Sequence, residues 1–327
     1  MRALNVAGRL LLALGVAVLL FTAYQLWGTG LGEQHSQSVL RSRLARELPP
    51  GEAAAARRLS NGAPHRVTRP TASSPALAPT VAAPAPGQPI GTIDIPNIGL
   101  DQVVVEGVAA ADLRMGPGHY PGTPLPGQAG NTAVAGHRTT YAHPFYSLDA
   151  VVPGDQIILT TPQGVFDYTA VRQQIVAPTD VAVIADTTTP TLTLTTCNPR
   201  YSAATRLVVH ADLTRSQLFT GSHPLSAGAA PKGNHAARAG GANRARGTHP
   251  AAIGGSGLAG TGDGGSIAAA AGWGAGVLAV VTATLLLARR PASRRRRWAL
   301  QSVGALACLP VLFFFFGAVS PLLPASF

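Results

Sequence analysis

The chain predicts a mainly β fold, a closed barrel in its middle third, carried between apolar helices. Three observations lead there. Between residues 89 and 218, short runs of Val, Ile, Leu and Thr alternate with polar residues and are cut by Gly, Pro, Asn and Asp. That period of two marks half-buried strands joined by turns, and such strands at regular spacing argue for closure into a barrel. Outside this stretch stand three apolar runs, each near the ~20 residues needed to cross a bilayer. Two low-complexity stretches separate them from the middle, and neither has the apolar content to bury a core.

Residues 1–30 read as a membrane anchor. Arg2 and Arg9 precede LLLALGVAVLLFTAYQLW (Leu10–Trp27), and Tyr24 to Trp27 have the character of an interfacial belt. No small-x-small site follows, so an uncleaved anchor is expected over a cleaved signal peptide. Residues 31–88 read as linker, charged at first with room for a short helix, then rich in Pro and Ala and extended. The barrel takes residues 89–218. Strands are expected at Ile90–Ile95, Gln102–Val105, Asn131–Arg138, 155–161, 164–176, Thr191–Cys197 and Arg206–His210, with a short helix at Ala109–Leu113. Pro144–Val151 should make a helical turn that packs Phe145 and Leu148 inward. Residues 219–257 form a second linker, expected to be disordered. Apolar spans follow at 266–288 and 298–322, with an arginine cluster at 289–297 between them.

The formal net charge of +11 owes much to that cluster. Arginines between two apolar spans are a topology signal, so nucleic acid is not an expected partner. The three spans agree on one multi-pass topology: N-terminus cytoplasmic, barrel outside, arginine loop inside. The two cysteines are separated in character, Cys308 in an apolar run and Cys197 in the polar middle. With no disulfide framework, the lone Cys197 points to chemistry. No His/Cys/Asp cluster has ligand spacing and no acidic run suits calcium, so neither metal nor cofactor is expected.

The stretch TLTLTTCNPRYSAATRLVVH (Thr191–His210) concentrates the chemistry. A strand delivers Cys197, Asn198-Pro199 breaks the ladder, and a second strand opens with Arg206. A thiol and a guanidinium thus sit at facing ends of a hairpin. A thiol attacks an acyl carbon only as thiolate, so it wants a basic neighbour. His137, ending a strand after Ala135-Gly136, is the candidate. Five other histidines (His35, His65, His223, His235, His249) fall in linkers; His119 and His143 lie in loops that could rim a cleft; His210 reads as structural. A fixed guanidinium would stabilise the oxyanion. The residues alone leave Arg206, Arg200 and Arg138 as competitors for that role.

TLTTC at Thr193–Cys197, Arg206 beyond it, and AGHRTTY at Ala135–Tyr141 together resemble the sortases, most closely the class E housekeeping type, over roughly Gln88–Leu218. The resemblance implies an eight-stranded barrel and a cysteine transpeptidase cutting LAxTG-type sorting signals between Thr and Gly. It assigns catalysis to His137, Cys197 and Arg206. It implies as partners sorting-signal-bearing surface proteins and the amine of a cell-wall lipid precursor. Thr196 and Tyr141 are expected to contact substrate. Leu258-Ala259-Gly260-Thr261-Gly262 spells LAGTG before an apolar span and an arginine cluster, so the chain itself carries a possible self-sorting motif, or else a chance pentamer. Two alternatives stay open: a non-catalytic scaffold that binds sorting signals, and another cysteine acyl-transfer enzyme such as an L,D-transpeptidase, although the Ser-His-Gly that precedes that family's cysteine is absent.

Overall fold

A computed structural model describes residue 8 and residues 15–48, 75–219, 267–288 and 294–319. The LAGTG motif, most of the second linker and residues 49–74 lie outside the described residues.

Eight strands close a barrel: β1 (Pro89–Ile95), β2 (Leu100–Glu106), β3 (Gly118–His119), β4 (Asn131–Ala135), β5 (Gln156–Thr161), β6 (Gly164–Val176), β7 (Thr191–Asn198) and β8 (Thr205–Leu218). Their order around the barrel is β1-β2-β3-β4-β7-β8-β6-β5. Most neighbours are antiparallel, but β2–β3 and β4–β7 run parallel. Alternate strand residues point inward and fill the core, among them Ile93, Val104, Leu159, Phe166, Tyr168, Leu192, Leu194 and Val209. The turn after β4 packs Phe145 and Leu148 fully out of solvent, as their spacing predicts. The Tyr168 ring lies in the main core, and its hydroxyl accepts the Gly127 N–H at 2.8 Å.

Part of the first linker is ordered structure, not disordered spacer. Residues 15–23 are helical, a π-turn follows at Tyr24–Gly28, and helix α1 (Thr29–Glu47) continues to the barrel. The face of α1 that meets the barrel carries Thr29, Glu33, Gln37, Leu40 and Leu44, spaced to lie on one side. Leu40 and Leu44 pack against Val103 and Val105. Gln37 replaces a strand partner: its amide donates to Val103 O (3.0 Å) and Met115 O (2.8 Å) and accepts the Val103 N–H (2.7 Å). Residues 75–80 also lie on the barrel, where the Ala78 N–H donates to Gly127 O and Pro79 O accepts from the Gln163 amide. These backbone groups find partners on the barrel, and that satisfaction holds the segment in place.

Short helix α2 (Ala110–Leu113) precedes β3. Helices α3 (Ile267–Ala288) and α4 (Arg294–Val319) pair with each other. Among the described residues, two helical stretches are long and apolar enough to cross a membrane, Ile267–Thr284 and Ser302–Val319. That is two where three were expected; the first span, Leu10–Trp27, falls partly outside the described residues. Its described part meets α4 through aromatic edges, Phe21 with Phe316 and Tyr24 with Phe313, both at 5.1 Å between ring centres.

Candidate active site

The site forms on the outer face of the barrel where β4, β7 and β8 adjoin. Cys197 lies near the end of β7, directly opposite Arg206 on β8, and Arg206 is opposite Val176 on β6. On its other side β7 pairs in parallel with β4, with Ala135 beside Thr195. The pairing continues past the strand end, because the Gly136 N–H donates to Thr195 O at 3.1 Å. Two residues on from Ala135 and Thr195 come His137 and Cys197. Parallel strands about 4.8 Å apart thus present both at the same end of the barrel. The row across three strands reads Val176, Arg206, Cys197, and His137 follows the end of β4 at the same end.

Cys197 is a free thiol of intermediate exposure. Thr193 and Thr195 share its face by alternation. Tyr120, which the sequence reading missed, joins that face: its hydroxyl lies 3.0 Å from the Thr195 Oγ1. Burial raises the pKa of this phenol, and the Arg206 guanidinium partly offsets the effect. Tyr120 packs with Ala133, Ala135, Leu113 and Ile184 into a second apolar cluster. A signal for Tyr120 was present in the sequence, an amphipathic ring fixed within a Gly/Pro loop.

His137 is half-buried. Burial first, and the Arg114 guanidinium second, push it down to about 4, so the imidazole is neutral near pH 7. The Tyr141 ring lies 5.0 Å from the imidazole, and the Arg114 guanidinium stands 6.0 Å over Tyr141. Arg114 was also missed; it follows helix α2, whose position the sequence did indicate.

The three competing arginines now separate. Arg200 is exposed, paired with Asp149 at 2.8 Å and stacked on Tyr146 at 4.5 Å. Arg138 is buried and pairs with Asp149 at 3.1 Å. It also donates to Cys197 O (3.2 Å) and Asn198 Oδ1 (3.0 Å), so it grips the backbone of the cysteine strand. Arg206 is buried on the thiol's own face, with Nη1 held by Ala203 O and Thr205 O at 3.0 Å each.

The Thr196 side chain does not share the face of Cys197. It alternates to the opposite face from Cys197, is buried, and donates its hydroxyl to Gly136 O at 2.8 Å. It ties the histidine strand to the cysteine strand. His119 does not rim a cleft: it is fully buried, with Nδ1 2.7 Å from Glu106 and Nε2 3.1 Å from Pro124 O. His143 is exposed on the loop after His137. His210 bonds Thr193 and Gln174 at 3.1 and 3.0 Å, and burial with the Arg172 charge pushes it down to about 4.

A family model described as "Sortase domain" matches residues 93–214, the stretch that holds all of this geometry. The chain belongs to the sortase family. It is 36% identical over 117 residues to Sortase D of Bacillus subtilis, covering 36% of this chain and 58% of that protein. It is 28% identical over 218 residues to Sortase SrtE1 of Streptomyces coelicolor, covering 62% of this chain and 54% of that one. The chain thus spans between half and three fifths of the length of these two curated relatives. Among solved structures, sortase E from Streptomyces avermitilis is 37% identical, with 41% of this chain and 93% of that chain covered and a TM-score of 0.37. Members of the sortase family are cysteine transpeptidases.

Proposed function

We propose that this sortase is a membrane-anchored, class E-like transpeptidase that cleaves LAxTG-type signals between Thr and Gly and transfers the acyl group to an amine of a cell-wall precursor. The facing of Cys197 and Arg206 across β7–β8, with His137 at the same end of β4, carries this reading. The neutral imidazole takes the Cys197 proton as sulfur attacks the threonine carbonyl. Arg206 stabilises the oxyanion. The C–N bond breaks as His137 returns the proton to the leaving glycine nitrogen, which leaves a thioester on Cys197. The accepting amine then attacks that carbonyl carbon, the C–S bond breaks, and the amine's proton passes by way of His137 to the thiolate. No oxidant or metal is required. Arg138 and Thr196 position the two strands, Tyr120 stands on the face of Cys197, and Tyr141 stands beside the imidazole.

The helix contacts support the membrane reading. Tyr24 and Phe21 lie near the barrel end of the first apolar segment, and Phe313 and Phe316 near the far end of α4. Their contact is what the alternating topology requires, since both ends should lie at the outer surface. The full chain in detergent, incubated with LAxTG and LPxTG peptides and an amine, should form the LAxT–amine product by mass. Cys197→Ala should form none; transfer by that variant removes the proposal. LAGTG at 258–262 is read as a self-sorting signal, and mature protein with intact Cys197 should then contain chains ending at Thr261. Failure to find that end removes the self-sorting reading and leaves the enzyme reading untouched.

A further inference from the structure

Helix α1 lies outside the matched sortase domain, yet it reaches the loop that carries His137. Thr29, its first residue, is buried. The Thr29 hydroxyl donates to Gln25 O at 2.9 Å and accepts the Tyr141 N–H at 3.1 Å, across 112 residues of chain. Beside it, Gly30 packs against the backbone of Ala142, close enough that a Cβ there would sit 3.7 Å from the Ala142 nitrogen.

That loop needs holding. Tyr141, Ala142 and His143 have φ of 50°, 53° and 42°, three consecutive non-glycine residues in the left-handed region. Each such residue costs backbone energy, and a run of them persists only where the surroundings impose it. Within the loop the restraints include the His143 N–H to Thr140 O and the Tyr146 N–H to His143 O, both at 2.9 Å, and the Phe145 N–H to His137 O at 3.0 Å. From outside the loop comes the Thr29 hydroxyl. Tyr141 in turn sets its ring 5.0 Å from the His137 ring. Helix α1 is no loose tether, because the three Gln37 hydrogen bonds and the Leu40–Leu44 packing fix it to β2.

We propose that Thr29 is a positioning residue for the acid–base histidine. Its hydroxyl, delivered by the helix that leads from the apolar segment, holds the Tyr141–His143 turn and so sets the surroundings of the His137 imidazole. The helix is then part of the catalytic unit. This rests on His137 acting as the acid–base group in the reading above.

The test uses the full chain in detergent micelles with Thr29→Val, which keeps the shape but removes the acceptor, and Thr29→Ser, which keeps the hydroxyl. Two readouts are taken: steady-state transfer of an LAxTG peptide to an amine, and the rate of His137 acylation by diethyl pyrocarbonate, scored by mass spectrometry. In Thr29→Val, kcat should fall on the order of tenfold with KM changed less than about twofold, as expected for a lost positioning contact. His137 acylation should speed up in the same variant, and Thr29→Ser should restore both. A merely structural threonine would lower the melting temperature in Thr29→Val while leaving both readouts at the wild-type values, and that outcome overturns the proposal. So does a serine variant as impaired as the valine. If the unmutated chain transfers no peptide, the enzyme reading fails by itself. The His137 acylation rates, which need no substrate, then decide whether Thr29 holds the loop.

Discussion

Gly136→Ala tests how tightly the histidine is seated. A Cβ built on Gly136 meets three ring atoms of Phe145, at 2.6, 2.8 and 2.9 Å. Ordinary carbon contacts lie near 3.5–4.0 Å, so something must move by most of an ångström. Phe145 cannot swing outward: it is fully buried in the main core, and its N–H is bonded to His137 O. Nor can Gly136 retreat freely, because its N–H and C=O are held by Thr195 O and the Thr196 hydroxyl. Overpacking of this kind costs ~1–3 kcal/mol. For a protein of this size, a melting temperature lower by roughly 3–10 °C follows. The displacement falls on the residue that precedes His137, so transfer should slow as well. Thermal melts of Gly136→Ala, Phe145→Leu and the double variant would show it. The double variant should be more stable than the sum of the single changes predicts, with a coupling of about 1 kcal/mol. An unchanged melting temperature in Gly136→Ala, or strict additivity, would refute this account.

Three further outcomes follow from charge and burial. Because His137 is pushed down to about 4, its proton is absent at neutral pH, and the acid limb of kcat/KM should fall near that value; a midpoint at the ordinary ~6.5 contradicts the neutral-base step. The same depression makes stability fall as pH drops from the unfolded-state value through about 4, because the unfolded chain binds that proton first. Glu33 has the opposite sign: burial against β2, only partly offset by Arg41, raises it to about 7. Its ionisation penalty is therefore absent below the unfolded carboxylate range and grows as pH rises through about 7, so Glu33→Gln should raise the melting temperature more at alkaline than at mildly acidic pH. Arg41, Asp101, Gln34 and Gln102 line the same cleft as Glu33, of about 280 Å³, and are left in place. Arg138→Leu strips the bonds to Cys197 O and Asn198 and leaves Asp149 to Arg200 alone; transfer should fall on the order of tenfold or more, with a loss of ~2–3 kcal/mol in a urea melt.

Much of the barrel was legible because its strands obey a period of two. Leu192, Leu194, Leu207 and Val209 point inward, and Cys197 and Arg206 share the other face. The same alternation places Thr196 on the inner face; it was a local motif, not the pattern, that suggested substrate contact. Partners distant in sequence left no such trace. The parallel pairing of β4 with β7 puts His137 and Cys197 at the same end of the barrel, and nothing local to either strand encodes it. β3 is two residues long, too short to show any period. Helix α1 was expected only as a short helix in the linker, and its docking on the barrel escaped for a different reason. Three of its five buried residues are polar, Thr29, Glu33 and Gln37, so a search for an apolar stripe passes over it. It binds the barrel by hydrogen bonds as much as by burial.

That polar face bears on where the reaction happens. Thr29 is two residues beyond the last residue of the Leu10–Trp27 segment, and it touches the loop that follows His137. On the membrane-anchored reading, the catalytic end of the barrel therefore faces the bilayer at the level of the first helical turn outside it. A flexible tether would let the barrel roam at the end of a long chain. Three hydrogen bonds from Gln37 and the packing of Leu40 and Leu44 prevent this. An acceptor amine carried on a lipid would meet the thioester close to the surface with little search, as would a protein substrate still held by its own span. On that reading the geometry trades reach for local concentration at the membrane, a trade that would suit the proposed substrates if both are anchored there.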